Sequence, residues 1–286
     1  MSEDRTALLE SRAIVRVAGP EAHLFLHGLV TQDVTGLESG AAAFSALLTP
    51  QGKILFDFFL IARDEGYLID CDKAVAPALL KQLDVYKLRA QVTFETCEDW
   101  IAAAVFDREC EISTDGVIVF DDPRLAALGR RVVGPRAAVA TALSAFGPAG
   151  EEAAYHRRRI GLGVPEAVND FDSAAVFLLD VNYDALKGVS YAKGCFVGQE
   201  VTSRMKRKGD IRKRTLLARF DGPAPEKGTP VMAGENTLGE TLSAVPGAAL
   251  TLVRLDRLAA AEERGARPAI GGRAAQLMVP DWLERA

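Results

Sequence analysis

Lys193-Gly194-Cys195-Phe196-Val197-Gly198-Gln199-Glu200 is the most distinctive stretch of this chain. It places a thiol between a lysine and an aromatic ring, with two glycines nearby and an amide beside a carboxylate. A cysteine close to cations forms the thiolate more readily, and a thiolate can attack an electrophile, exchange with a disulfide or hold a soft metal. Glycine lets the backbone approach a ligand closely. The residues alone are equally compatible with a buried cysteine in a turn, with Lys193 paired to Glu200.

The residues that follow the octapeptide are strongly basic. Residues 193–214 contain eight cations and two anions, so this segment carries a charge of +6 within a chain of net charge −5. One basic segment in an acidic protein is typical of a local anionic partner rather than of general nucleic-acid coating. Because there is little aromatic interleaving and no RNA-binding motif, direct nucleic-acid binding is not expected. A solvated charged hairpin is an equally good interpretation of any single residue in the run.

The composition is that of a soluble globular chain. With 286 residues, 49% of them hydrophobic and 26% charged, the sequence predicts two or three small domains with a sizeable core. No stretch reaches the roughly 18 to 20 apolar residues of a membrane helix, so no membrane partner is expected. The charged residues 1–5 lack the apolar segment of a secretory signal, which predicts a cytoplasmic protein.

Cysteines and histidines form no metal or disulfide motif. His23 and His27 lie four residues apart and could share a helix face, but their apolar neighbours favour structural roles over metal ligation. The sequence therefore predicts no resident metal site and no disulfide framework. Four cysteines occur without a C-x-x-C pair or a regular spacing: Cys71, Cys97, Cys110 and Cys195.

Apolar periodicity predicts an α+β architecture. The first hundred or so residues indicate strand, helix, strand, strand, helix and strand, an α+β layer with an antiparallel sheet. Residues 49–52 (Thr-Pro-Gln-Gly) predict a tight turn between two strands. From Arg219 onward, short apolar runs separated by Gly or Pro predict a small β-barrel, with one strand expected over residues 250–258. We expect a first region at 1–215, built of interleaved lobes at about 1–110 and 111–215, and a barrel domain at 216–286.

Asp57 interrupts an apolar run that is typical of a strand buried on both faces. A carboxylate in such a strand must be hydrogen-bonded, protonated or turned into a cavity. A ligand-facing role and a satisfied structural role are both open for this side chain.

The octapeptide resembles the K-G-C-[YF]-x-G-Q-E signature of the YgfZ-like folate-binding proteins, a family that includes mitochondrial iron–sulfur assembly factors. Residues 25–34 resemble the family's F-L-x-G-x-x-T-x-D-V segment, and residues 49–53 its P-x-G-[KR] turn. Residues 160–165 resemble its G-x-P segment, and residues 178–182 its lead into the signature. The resemblance runs from about residue 12 to residue 215. The C-terminal domain matches only in its pattern of short apolar runs separated by Gly or Pro.

This resemblance implies a fold similar to the T-protein (aminomethyltransferase) of the glycine cleavage system, with three lobes around a tetrahydrofolate-binding channel and a C-terminal β-barrel. It also implies an accessory protein for iron–sulfur cluster assembly or repair, and it leaves open whether the protein catalyses a reaction of its own. Such a protein supports iron–sulfur enzymes, including enzymes that modify tRNA. The implied partners are tetrahydrofolate or a derivative, iron–sulfur assembly proteins and client enzymes, and nothing in the sequence demands more than a monomer.

The resemblance also assigns roles to residues. Cys195 is the key thiol, with Lys193 beside it. Arg12 stands where the family can place a tryptophan, a departure from the pattern. An anionic polyglutamyl folate tail explains the basic run as well as RNA does, and we prefer the tail as its partner. The residues implied to contact folate are Asp57, Tyr155, Asp180, Asn182, Tyr191, Gly194, Gln199 and Glu200.

A folate-dependent aminomethyltransferase is the main alternative function. T-protein relatives carry paired aspartates in the strand after the early turn, whereas Phe56 precedes Asp57 in this chain. They also lack the K-G-C signature. The sequence therefore favours an accessory protein over an enzyme of one-carbon transfer.

Overall fold

The computed structural model describes residues 5–106, 111–209 and 211–283. Cys110 and Asp210, which entered the cysteine pattern and the charge count above, lie outside the described residues. The chain divides into two compact units. The first unit comprises Met1–Leu48, Leu55–His156 and Leu186–Val197. The second comprises Thr49–Ile54, Arg157–Ala185 and Gly198–Ala286. The domain limits expected from the sequence, at about residues 110 and 215, remain predictions.

A five-stranded sheet forms the centre of the first unit, in the order β3-β4-β5-β2-β6. Strand β2 pairs antiparallel with both β5 and β6, and β4 pairs antiparallel with β5. This is the antiparallel sheet that the apolar patterns predict. Its strands are β2 (Arg12–Ala18), β3 (Ala42–Leu48), β4 (Ile54–Arg63), β5 (Gly66–Asp72) and β6 (Thr93–Thr96).

Two helices cover one face of this sheet, α1 (Ala22–Leu29) and α2 (Ala76–Lys87). Alternate strand residues point to opposite faces, so one set of apolar side chains meets the helices. The strand β4 is buried along nearly its whole length, as its apolar sequence predicts. The core between sheet and helices includes Val15, Val17, Leu26, Leu29, Phe58, Leu60, Ile69, Leu79 and Leu83.

A second sheet of the first unit has the order β1-β7-β9-β8. Helix α3 (Arg136–Leu143) packs on it through Val139, Ala142 and Leu143. Strand β1 is only four residues long. Its strands are β1 (Thr6–Leu9), β7 (Trp100–Val105), β8 (Ile118–Asp121) and β9 (Arg130–Pro135). Helix α4 (Glu152–Gly161) follows α3 along the chain.

The second unit contains helix α5 (Gln199–Lys208) and a closed barrel in the order β10-β13-β12-β11-β14-β15. The barrel closes because β15 pairs antiparallel with β10. Its presence confirms the β-barrel predicted for the C-terminal region. The strands are β10 (Lys213–Phe220), β11 (Pro230–Ala233), β12 (Asn236–Val245), β13 (Ala248–Arg254), β14 (Pro268–Ile270) and β15 (Arg273–Met278).

One local prediction was wrong in this unit. Strand β13 ends at Arg254, and the rest of the expected strand 250–258 opens helix α6 (Leu255–Glu263). Leu, Ala and Glu are good helix formers, and Asp256 in the first turn suits the positive end of the helix dipole. Helix α5 forms over much of the basic run, for which a charged hairpin was one interpretation. Glu200 in its first turn and the basic residues of its last turn complement the helix dipole.

Among the described residues, no helix has the length and apolar character needed to cross a membrane.

Candidate functional site

The signature begins as an exposed loop of the first unit. Cys195 is exposed and carries a free thiol, and Gly194 is exposed as well. Phe196, directly after the cysteine, is buried, and the Lys193 Nζ lies 5.3 Å from the centroid of its ring. Tyr191, two residues before Lys193, is 38% exposed. The loop therefore presents a thiol next to an accessible aromatic ring.

Lys193 holds this loop to the end of α1. Its Nζ donates to the carbonyl oxygens of His27 at 2.7 Å, Val30 at 2.6 Å and Gln32 at 3.1 Å. The last carbonyls of a helix lack intrahelical partners and carry partial negative charge, so a buried ammonium fits there. The three N–H donors are thereby used, which leaves none for the pairing with Glu200 considered from the sequence. Burial lowers the pKa of Lys193 to about 8.

Three further bonds join the same segments. The Thr31 hydroxyl donates to the Gly188 carbonyl at 2.6 Å, and the Gln32 amide donates to the Lys187 carbonyl at 2.6 Å. The Ser190 N–H donates to the Thr31 carbonyl at 3.0 Å. Residues 27–32 are therefore tied to residues 187–193 by side chains and backbone together. The sequence contains a signal for this contact, since both segments match the same family pattern, but they were not paired from the sequence.

His27 lies beside the loop and was not singled out for the site. A Cβ placed on Gly194 would lie 3.9 Å from the Nε2 of His27. Its Nδ1 is buried, lies 3.6 Å from Asp33 Oδ1 and has no hydrogen-bond partner in the described part of the chain. Burial lowers the pKa of His27 and Lys193 adds to this, while Asp33 opposes it. A neutral imidazole therefore faces the residue before Cys195.

The second half of the signature opens α5 in the second unit. Gly198 adopts a left-handed conformation with φ +80°, which glycine reaches without strain, and Gln199 and Glu200 form the first turn. The predicted turn at 49–53 packs against this helix: a Cβ on Gly52, whose φ is +82°, would lie 3.0 Å from Val201 Cβ. Glycine is thus required at position 52 by both conformation and space.

Asp180 and Asn182 lie in one turn of the second unit and bond to its backbone. The Asn182 Nδ2 donates to the Thr215 carbonyl at 2.8 Å, and Asp180 Oδ2 accepts from the Phe177 N–H at 3.1 Å. Burial raises the pKa of Asp180. Arg214, which donates to both Asp184 oxygens at 2.6 and 3.0 Å, holds the turn against β10.

Tyr155 belongs to a buried network of ions in the first unit. Its hydroxyl accepts from Arg124 Nη2 and Arg131 Nη2, both at 2.8 Å. Asp70 accepts from Arg131 at 2.9 Å and from Arg12 at 2.6 Å, which joins β5 to β9 and β2. Arg12, the departure from the family pattern, therefore has a place in this network.

The same network contains a second buried carboxylate, Asp122. Its burial favours the neutral acid, but the guanidinium groups of Arg124 and Arg131 outweigh this and lower the pKa of Asp122. With each buried charge facing an opposite one, the network can be accommodated inside the unit.

Asp57 is 6% exposed and lies on β4. Burial raises the pKa of the neighbouring Cys71 to about 12, with Asp57 among the carboxylates that add to the effect. Cys71 is therefore a protonated thiol near neutral pH. The role expected for Cys195 requires a reactive thiolate, so Cys71 does not suit that role.

The sequence-derived site residues thus fall into separate groups. Lys193, Gly194 and Cys195 lie together with Tyr191 and His27 in the first unit, whereas Tyr155 lies in the ion network. Asp180 and Asn182 share one turn of the second unit, where Gln199 and Glu200 begin α5. In the described ranges, no group of three or more His, Cys, Asp or Glu side chains is arranged to hold a metal ion.

The fold defines the class of protein. Its structure is similar to the crystal structure of glycine cleavage system aminomethyltransferase T from Bartonella henselae, with a TM-score of 0.76 and 17% identity over 98% of this chain and 86% of that chain. Residues 212–285 match the family described as CAF17, C-terminal beta-barrel domain. Together these findings confirm the predicted T-protein-like fold, of mixed α and β structure, with a C-terminal β-barrel.

Sequence relatives define the family. Iron-sulfur cluster assembly factor IBA57, mitochondrial, from Mus musculus is 34% identical over 247 residues, which is 77% of this chain and 67% of that protein. The Homo sapiens protein of the same name is 32% identical over 310 residues, covering 96% of this chain and 84% of that protein. The chain therefore belongs to the family of the iron–sulfur cluster assembly factor IBA57, which confirms the coarser part of the predicted relationship.

The predicted cytoplasmic location is contradicted by these relatives, whose names place them in mitochondria. The prediction was based on residues 1–5, which lack the apolar segment of a secretory signal. That observation bears only on secretion and does not separate the compartments inside a cell.

Proposed function

We propose that this protein acts in the assembly or repair of iron–sulfur clusters, with Cys195 as its essential thiol. The observation that carries the proposal is the position of Cys195, exposed on a loop that Lys193 anchors to α1. A thiolate is a preferred ligand for iron in clusters and also exchanges with disulfides, so an accessible, positioned thiol suits either task. The iron–sulfur cluster is the cargo in this proposal.

The finer assignment is a YgfZ-like accessory protein that supports iron–sulfur enzymes, including enzymes that modify tRNA. Its partners are iron–sulfur assembly proteins or the client enzymes themselves. We further propose that it works as a monomer and makes no direct contact with nucleic acid. The octapeptide supports this assignment through its resemblance to the YgfZ-like signature.

Tetrahydrofolate, or a derivative, is the proposed ligand, and the candidate residues fit it unequally. Tyr191 is accessible and could stack on a pterin ring. Asp180 is a buried carboxyl with a raised pKa, a group that can hydrogen-bond the polar edge of a pterin. Tyr155 and Asn182 fit less well, because their polar atoms already bond to Arg124, Arg131 and Thr215.

The remaining candidate folate contacts are supported by their proximity to the signature or by their burial. Asp57 is a buried carboxylate on β4, and Gly194 is exposed beside Cys195. Gln199 and Glu200 form the first turn of α5, where N–H groups of the helix start favour an anionic ligand group. Bound folate would supply a flat heteroaromatic ring and carboxylates, and these residues would orient it.

Complementation tests the role of the thiol. In cells that lack their own relative of this family, the wild-type chain should restore the activity of iron–sulfur enzymes, and Cys195→Ala should not. Cys97→Ala is the matched control, since among the described residues of the first unit Cys97 is the other free cysteine that is not fully buried. Equal rescue by Cys195→Ala and wild type would remove the proposed role.

A titration with tetrahydrofolate tests the ligand. We expect saturable binding by the wild-type chain and weaker binding by Lys193→Ala, because the loop loses its anchor. Tyr191→Ala should weaken binding and Tyr191→Phe should retain it, if the ring stacks on the pterin. An absence of saturable binding by the wild-type chain contradicts the folate assignment and leaves the role of Cys195 standing.

Aminomethyl transfer is the alternative function, favoured by the likeness to an aminomethyltransferase structure, which at 17% identity shows the fold alone. The single Asp57 preceded by Phe56, and the K-G-C signature, argue against it. An assay of folate- and lipoyl-dependent aminomethyl transfer decides the question, and robust turnover would reverse the ranking.

A further inference from the structure

Six exposed cationic side chains lie on α5 and at the start of the barrel. The last cation of the run differs from them, because Arg214 is buried and paired with Asp184. Arg214 therefore serves the fold, whereas the other six side chains are exposed. We call these six the basic surface: Arg204, Lys206, Arg207, Lys208, Arg212 and Lys213.

Three of these cations share one side of α5. Arg207 and Lys208 follow Arg204 by three and four residues, a spacing that places side chains about 5–6 Å apart on one helix face. Cations in the last helical turn also stabilise the helix through its dipole. That effect fades within the last turn, however, and α5 ends at Lys208. Because the positive charge continues to Arg212 and Lys213, helix stability does not account for the whole basic surface.

The basic surface stands out against the rest of the molecule. The segment 193–214 carries +6 in a chain of net charge −5, so the remaining residues carry −11. A compact positive patch on an acidic protein attracts an acidic partner to one place and turns it into one orientation.

We propose that the basic surface docks an acidic segment of a partner protein. Met205 is half-buried on α5, three residues before Lys208, and its flexible thioether offers the apolar contact that protein interfaces use. RNA fits less well, because residues 199–214 contain no aromatic side chain for base stacking. A polyglutamyl folate tail shares the carboxylate chemistry but offers Met205 only methylene groups.

This inference rests on the proposed function only for the class of partner, a protein of iron–sulfur assembly or one of its clients. The basic surface itself belongs to the second unit and is described without reference to Cys195. The docking of a protein can therefore be tested separately from the role of the thiol and from folate binding.

The test measures the binding of a labelled, Glu-rich helical peptide of about 15 residues by fluorescence anisotropy. The variant is Arg204→Glu, Arg207→Glu and Lys208→Glu together. The matched control reverses three exposed cations of the first unit, Lys73→Glu, Lys81→Glu and Arg89→Glu, and so changes the net charge equally. A labelled oligouridylate and the mono- and pentaglutamyl forms of tetrahydrofolate serve as competing probes. Circular dichroism confirms that all variants fold.

We expect the wild-type chain to bind the peptide, and binding to weaken as salt rises from about 50 to about 200 mM. The α5 variant should lose about tenfold or more in affinity, whereas the control triple and Cys195→Ala should bind as the wild type does. Absence of peptide binding, or an equal loss in both triples, contradicts the proposal. If the α5 variant loses affinity only for oligouridylate, the surface is assigned to RNA. If it loses affinity only for the pentaglutamyl folate, the surface is assigned to the folate tail. Either result overturns the proposal.

Discussion

Lys193 joins the signature loop to the end of α1 through three carbonyl oxygens, and no side chain without an N–H donor can replace these bonds. Lys193→Met keeps the length of the side chain but leaves the three acceptors unpaired. We expect the free energy of unfolding in urea to fall by about 2–4 kcal/mol. The control is Lys187→Met, an exposed lysine of the same segment, which should change it by less than about 0.5 kcal/mol. Equal stability of Lys193→Met and wild type would show that the anchor is dispensable.

His27 gives the same region a dependence on pH. Its pKa lies below the ordinary 6.5, mainly because of burial, so the folded state binds this proton less readily than the unfolded chain. Stability that is present above 6.5 is therefore lost as the pH falls below it. We expect the unfolding free energy of wild type, relative to His27→Gln, to decrease between about pH 7 and pH 5. A difference that stays constant over this range contradicts the argument.

At the scale of elements, Asp70 ties β5 to β2 and β9 through two guanidinium groups. Asp70→Asn leaves Arg12 and Arg131 buried without this counter-charge, and losing one partner of a buried pair costs about 3–5 kcal/mol. The exposed pair of Glu10 and Arg136 is the control, since Glu10→Gln should cost no more than about 1 kcal/mol. Urea denaturation of the two variants compares a buried with an exposed ion pair in one chain. Similar losses would mean that the network adds nothing beyond a surface pair.

The turn at Gly52 packs against α5. Comparing Gly52 with Gly209 separates the effect of backbone conformation from the effect of this contact. Both Gly52 and Gly209 have positive φ, +82° and +64°, but a Cβ on Gly52 also meets Val201 at 3.0 Å, while one on Gly209 meets nothing within 4 Å. Left-handed backbone costs a side chain about 1–2 kcal/mol. We therefore expect Gly209→Ala to lose about that much stability and Gly52→Ala to lose more, measured by urea denaturation. If Gly52→Ala is the milder change, the contact with α5 has no part in the stability of this turn.

The sequence predicts elements well where a local pattern encodes them. The apolar run of β4 and the spacing of α2 identified both elements, whereas β13 was extended too far because its apolar residues continue into α6. Contacts of the site are different in kind. The carbonyl partners of Lys193 lie 161 to 166 residues away along the chain, so no local pattern reveals them. Only the matching of two distant segments to one family pattern could have indicated the contact.

At the scale of the whole molecule, the sequence relatives and the fold are both consistent with the predicted relationship. The residues of the proposed thiol chemistry lie in one loop. A T-protein-like fold is shared with an aminomethyltransferase, and the sequence relatives are iron–sulfur cluster assembly factors. A fold supports many functions, so the functional argument must come from the site. Here the accessible thiol of Cys195, on the loop that Lys193 anchors, is the feature from which the proposed function follows.

The most direct measurement is the activity of an iron–sulfur enzyme in extracts of cells that lack their own relative and carry this chain as Cys195→Ser. Serine keeps the size of the side chain but loses thiolate chemistry. Cys97→Ser is the control, and immunoblots establish equal protein levels. We predict that Cys97→Ser restores the enzyme activity to the wild-type level and that Cys195→Ser leaves it at the level of cells without the chain. Full activity with Cys195→Ser would contradict the central claim.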